Sequence, residues 1–307
     1  MKTLVLLHGW GITGAAFGAL TESLSEHVAV IALDLPGYGG VNALPSYTLE
    51  TLASDVASRA PRHCVVLGWS LGALVALAWA AAFPAQVASL VLVGATPCFV
   101  RKPDWPHGVD SDVLGSFAEA LRSDRARTLR RFVGLIARGD AEPKVVMRML
   151  QAAVVEEGAA SQDVLQAGLG ILRESDLRPF LPRIHQRTLA IHGERDQLTP
   201  IAAATFTAAA LPRAELETIE GAAHAPFVTH VSRRRSQFHR EVAQHALGHD
   251  DQSQGYRHAV PVVQFHDVHG GRHSRAHAAR GAVPARPAAL GTAFLQPAHH
   301  EIGRAHV

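Results

Sequence analysis

Apolar residues gather in six short runs, at 3–7, 28–33, 64–67, 90–93, 188–191 and 216–219, each rich in Val, Ile, Leu or Ala. Several are apolar at nearly every position, the pattern of buried strands in a parallel sheet covered on both faces. The stretch 71–82 between the third and fourth runs is built of Ala, Leu and Val and reads as a helix. This alternation predicts an α/β fold with a mostly parallel sheet and helices on both faces. Right-handed crossovers then bring the carboxyl ends of the strands to one edge, where such sheets bind ligands.

Between 97 and 182 the strand pattern vanishes, and helical patterning appears around 112–121, 127–137, 143–155 and 162–174. A helical cap at 100–179, inserted into a core formed by 1–99 and 180–247, is the expected organisation. From 248 to 307 the character changes again. This stretch holds nine of the chain's 19 histidines and no lysine, with Gly, Pro and Ala scattered without a period. We expect it to be a disordered tail; a read-through or out-of-frame terminus would have the same composition. His269, His273 and His277 fall at helical spacing, but nothing around them supplies a supporting shell, so no metal is assigned.

Composition narrows the function classes. The chain has 307 residues, 48% hydrophobic and 18% charged, with a formal charge of +2 and a mean hydropathy of +0.08. Such a chain folds, and its charge is too small to suggest a nucleic-acid partner. Cys64 and Cys98 make no disulfide framework and no metal-ligand spacing, which fits a reducing compartment. The apolar run after Lys2 stops at His8-Gly9, short of a secretory h-region, and the run 71–83 is well below the ~20 residues that cross a bilayer. A cytoplasmic monomer without membrane association or cofactor is expected.

Chemistry enters with Gly68-Trp69-Ser70-Leu71-Gly72, which sits between the third apolar run and the helix at 71–82. GxSxG between strand and helix places serine on a strained turn with its hydroxyl exposed, and the small flanking residues avoid clashes. Serine needs a base oriented by an acid, following in the order acid then histidine. The loop after 188–191 offers Glu194 and Asp196, and the loop after 216–219 offers His224 among small residues. Asp196 is favoured because it lies deeper in its loop, where the following Thr199-Pro200 can start a helix that fixes it; Glu194 is the rival. His192 precedes the acid and reads as structural, and His63 and His107 have no partner motif. The amide of Leu71 and that of Trp10, beside Gly9, are the natural donors to an oxyanion, with His8 buttressing the loop.

LVLLHGWG at 4–11, DLPGYG at 34–39, GWSLG at 68–72, TPCF at 96–99 and AAHAPF at 222–227 together resemble the α/β-hydrolase superfamily. Within it, they resemble the family of esterases that demethylate pimeloyl-[acyl-carrier protein] methyl ester in biotin synthesis. The resemblance implies a serine carboxylesterase with Ser70 as nucleophile, Asp196 as acid and His224 as base. It implies substrate contacts at Trp10, Ser70, Leu71, Phe132, Val133, Gly134, Leu135, Ile136 and His224. Ile136 stands where that family usually carries glutamine, and Gly40-Val41 where it tends to carry Arg-Ser. It also implies an acyl carrier protein as partner. Arg127 with Arg131, and Lys144 with Arg148, are each spaced to share a helix face, and an acidic carrier would dock there; a plain solvated face is the alternative. A broad-specificity short-chain carboxylesterase and a catalytically silent binding protein of the same fold remain as rivals.

Overall fold

The computed structural model describes residues 2–154, 160–230 and 237–248. Its strands are β1 (Thr3–Leu7), β2 (Ala29–Leu33), β3 (Cys64–Trp69), β4 (Val87–Val93), β5 (Arg187–Gly193) and β6 (Ala214–Ile219). They form one sheet in the order β2-β1-β3-β4-β5-β6, with every adjacent pair parallel. Parallel neighbours require crossovers. These are α1 (Gly18–Leu24), α2 (Leu49–Arg59), α3 (Leu71–Ala82), the block α4 (Ser111–Ser123), α5 (Arg125–Ala137), α6 (Pro143–Gln151) and α7 (Gln162–Glu174), and then α8 (Ile201–Ala210). The short α9 (Pro226–Thr229) and α10 (Gln237–Leu247) follow the last strand. All described residues belong to one compact unit, Met1–Asp250. The chain first adds β2 on one side of β1 and then β3 on the other, so β1 and β3 flank the point where the strand order reverses. Loops leaving β1 and β3 there open the crevice that such sheets use for ligands.

Local chemistry explains the main boundaries. α3 is apolar on every side and is correspondingly buried on every side over 71–80. α5 begins at Asp124, whose side chain accepts from Arg127 N–H, and α7 at Ser161, which accepts from Val164 N–H. α2 starts with a reciprocal Thr48/Thr51 capping box. Two expectations are corrected. The runs at 28–33 and 216–219 are not buried throughout: they form the two edge strands, β2 and β6, and Ile31 is 36% exposed. The helix expected over 143–155 ends at Gln151. The chain turns there because Ala153 O accepts from Thr13 N–H at 2.9 Å and Val154 bridges Ile12, replacing the bonds of a further helical turn. The tail expected at 248–307, with its His269, His273 and His277 series, lies outside the described residues beyond Gly248.

Candidate active site

Ser70 stands between the end of β3 and the first residue of α3 with φ 55° and ψ −116°. Among the described residues it is the one non-glycine with positive φ. A side chain held in that region costs on the order of 1–3 kcal/mol and persists only where the surroundings enforce it. Here Ser70 N–H donates to Val93 O at 3.0 Å, and Ser70 O accepts from Ala73 N–H at 2.9 Å. The glycines on either side are steric necessities. A Cβ on Gly68 would collide with the carbonyl of Gly72, and one on Gly72 with the carbonyl of Leu7 at the end of β1.

Asp196 and His224 come from the loops after β5 and β6 and meet in the interior, 7% and 1% exposed. His224 Nδ1–H donates to Asp196 Oδ2 at 2.7 Å. The carboxylate also accepts the Thr199 hydroxyl at 2.7 Å on Oδ2, and the N–H groups of Leu198 and Thr199 at 2.8 and 2.9 Å on Oδ1. Burial alone would raise the acid's pKa. The charge and hydrogen bond of His224, the charge of His192 and the Thr199 N–H outweigh it and hold the pKa down at about 2. Asp196 is therefore ionised at neutral pH and fixes the tautomer of His224, leaving the lone pair on Nε2. Nε2 is buried and makes no hydrogen bond among the described residues, to Ser70 Oγ or to any other group. Glu194 lies elsewhere: half exposed, it accepts from Gly221 N–H at 3.1 Å.

The two other histidines near this edge have structural bonds. His192 Nε2–H donates to Thr199 O at 2.7 Å and lies 3.3 Å from Asp196 Oδ2. Its burial pushes its pKa down. His8 accepts from Leu35 N–H on Nε2 at 2.9 Å, so its Nδ1–H donates to Gly9 O at 2.8 Å. Burial lowers its pKa too and keeps it neutral. This bond orients the Gly9–Trp10 peptide. The Trp10 ring turns into the helical block, where its indole N–H donates to Leu165 O at 2.8 Å and it packs perpendicular to the Phe132 ring, with centroids 4.9 Å apart. Leu71 opens α3, so its N–H is one of the helix's unpaired initial donors.

The structure thus brings Phe132 onto Trp10. Val133 and Ile136 are buried on the same helix, and Gly134 and Leu135 are half buried. Arg127 and Arg131 on α5, and Lys144 and Arg148 on α6, are all exposed. Lys144 and Arg148 line an open depression of about 560 Å³ together with Met147, Gln151 and Ala152. Two participants escaped the sequence reading. Thr199, which the sequence places at a helix start, turns its hydroxyl back onto the acid three residues before it. Trp69 donates its indole N–H to His224 O at 2.8 Å, tying the nucleophile turn to the histidine loop. That contact spans 155 residues and has no local signature.

Residues 2–231 match the family described as alpha/beta hydrolase fold. The chain is 39% identical over 226 residues to the pimeloyl-[acyl-carrier protein] methyl ester esterase of Nitrosomonas europaea, covering 74% of this chain and 90% of that one. It is 41% identical over 232 residues to the esterase of the same name from Aromatoleum aromaticum, covering 74% and 92%. Among solved structures, the esterase EaEST from Exiguobacterium antarcticum superposes with a TM-score of 0.72 at 27% identity, covering 80% of this chain and 92% of that one. The enol-lactonase from Burkholderia xenovorans, at 22% identity and a TM-score of 0.67 over 79% and 90%, shares the fold.

Proposed function

The chain belongs to the alpha/beta hydrolase fold family, and from that premise we propose that it is a serine carboxylesterase that hydrolyses the methyl ester of pimeloyl-[acyl-carrier protein] in biotin biosynthesis. The observation that carries the chemistry is the ionised Asp196 bonded to His224, with an unpartnered Nε2, behind a strained serine turn. The substrate is supported by relatives of that name, matched at 39–41% identity over about nine-tenths of their length.

In this reading His224 Nε2 takes the Ser70 proton as the hydroxyl attacks the ester carbonyl; the bond between them closes with substrate in place, as catalytic hydrogen bonds commonly do. The amides of Leu71 and Trp10 hold the oxyanion. Methanol leaves with the proton from His224, and water then attacks the acyl-enzyme by the same route. Asp196 keeps the imidazole in the right tautomer and offsets the positive charge that develops on it. The cap formed by α4–α7 covers the acyl chain with the α5 segment at 132–136. The carrier protein docks on Arg127, Arg131, Lys144 and Arg148, whose exposed side chains on two adjoining helices offer an acidic partner a positive face. No described helix is long and apolar enough to cross a membrane, and both cysteines are buried with thiol pKa values raised by burial. We take the protein to act as a monomer in the cytoplasm.

The decisive experiment is rescue of a biotin-requiring strain that lacks this esterase by the full chain, with Ser70→Ala as the failing control. Absence of rescue by a stably expressed chain removes the assigned substrate. Docking is tested by changing the four basic residues to glutamine. Turnover of the carrier-bound ester is expected to fall at least tenfold and lose its salt dependence, while p-nitrophenyl acetate hydrolysis holds. An equal fall in both would leave the basic face as ordinary solvated surface.

A further inference from the structure

The short connection between α5 and α6 lies against both loops that carry the acid and the base. Asp140 in this connection is 7% exposed. Its Oδ1 accepts from Glu142 N–H at 2.9 Å, closing a local turn. Its Oδ2 accepts from Ala223 N–H at 3.0 Å, 83 residues away and immediately before His224. The next residue, Ala141, donates its N–H to Gly221 O at 2.8 Å. Gly139 takes φ +97° and leaves no room for a Cβ against the carbonyl of Arg195, next to the acid. On the other side the acid loop grips the same turn: Arg195 N–H donates to Ala222 O at 2.9 Å, and Glu194 accepts from Gly221 N–H. The histidine loop is therefore held between its neighbouring loop and the helical block.

We propose that Asp140 is a positioning residue for ester hydrolysis, fixing through Ala223 N–H the loop that aims the His224 imidazole. The proposal rests on the reading of His224 as the base. A carboxylate suits the task because it has an acceptor for each of two N–H groups at once, and charged acceptors make bonds roughly twice as strong as neutral ones. Burial of an acid on the helical block is explained only if these bonds are made, since an unpaired buried carboxylate is costly. The arrangement also makes the block more than a roof. Its α5–α6 connection reaches the base loop, and Ala153 and Val154 beyond α6 reach Thr13 and Ile12 beside the Trp10 loop. A displacement of about 1 Å in a catalytic group can cost around 10² in rate.

Two substitutions separate the long-range bond from the local turn. Asp140→Ser leaves a short acceptor for Glu142 N–H but does not reach Ala223, whereas Asp140→Asn keeps an oxygen for Ala223. Hydrolysis of p-nitrophenyl acetate is measured per active site, titrated to completion with a fluorophosphonate, alongside Tm. Asp140→Ser is expected to lower kcat per titrated site by about 10- to 100-fold with KM within about twofold. Asp140→Asn should recover to within about fivefold of wild type. A kcat per titrated site within about twofold of wild type for Asp140→Ser overturns the proposal, as does an asparagine variant no better than serine. A loss seen only as fewer titratable sites or a lower Tm assigns Asp140 to stability alone and also overturns it. If the serine variant does not fold, Asp140→Thr takes its place with the same outcomes. His224→Ala is run in parallel: wild-type turnover there sinks the assignment of the base, and the positioning role of Asp140 with it, whereas a dead His224→Ala beside an unaffected Asp140→Ser overturns the role of Asp140 alone.

Discussion

Asp196 collects four hydrogen bonds on its two oxygens, from His224, from the Thr199 hydroxyl and from two backbone N–H groups. Its pKa, held at about 2 against an ordinary 3.8, makes the folded state sensitive to acid. The depressed value means that the stabilisation is fully present above the unfolded pKa and is lost as pH falls through about 4 towards 2. The difference is worth on the order of 2 kcal/mol. Urea midpoints measured from pH 6 to pH 2 are expected to fall in that window, and Asp196→Asn to flatten the fall. An identical acid limb in the variant would show that other carboxylates govern it. Ser70→Ala is expected to cost on the order of 10⁴ to 10⁶ in kcat, read as residual hydrolysis by enzyme free of wild-type contamination. Ser70, Asp196 and His224 were legible as candidates from residue type, order and flanking small residues, because each sits in a loop whose local sequence marks it; the structure joins Asp196 to His224. Trp69, Thr199 and Asp140 were not legible as partners of the site. The groups they hold are backbone atoms or side chains supplied by the fold, and a backbone carbonyl leaves no mark in sequence.

At the scale of elements, strands and helices carry their instructions in their own residues, and the clearest were those buried on every side. α3 begins and ends where the apolar stretch does, at Leu71 and Ala82. α2 and α10 were not anticipated: α2 depends on a threonine capping box, and α10 on docking its Phe238 and Val242 into the core. Junctions between elements depend on single polar groups. Gln86, after α3, accepts the Trp79 indole N–H at 3.0 Å and donates to the carbonyls of Ala57 at 2.8 Å and Pro61 at 3.0 Å. Gln86→Leu would leave a buried indole donor and these carbonyls without that partner. A loss of about 1–3 kcal/mol in urea unfolding is expected, and a loss below about 0.5 kcal/mol would mean that water replaces the amide.

Over the whole molecule, the two ends of the inserted helical block are fastened together where they leave and rejoin the sheet. Lys102, before α4, pairs with Asp176, after α7, at 3.0 Å. Arg178 pairs with Asp176 at 2.7 Å and with Asp104 at 3.1 Å, and lies 5.2 Å over the Trp105 ring. Leu177 N–H donates to Pro97 O at 2.8 Å across the same junction. Arg178→Ala, which removes a largely buried guanidinium and leaves two carboxylates with fewer partners, is expected to cost about 1–3 kcal/mol. The check is urea unfolding at low and high salt; a variant as stable as wild type would make this cluster ornamental to the fold. The sequence by itself determined the α/β class, the six strands, the helical insertion and the three chemical residue types, since each of these follows from hydrophobic period or from a turn with local steric demands. Only the tertiary structure decided which two strands became the edges, where α6 stops, and how a carboxylate on the inserted block comes to hold the loop of His224. Those outcomes depend on which backbone groups are left to be paired once the elements have packed, and residues 83 or 155 positions apart have no local pattern through which to announce it.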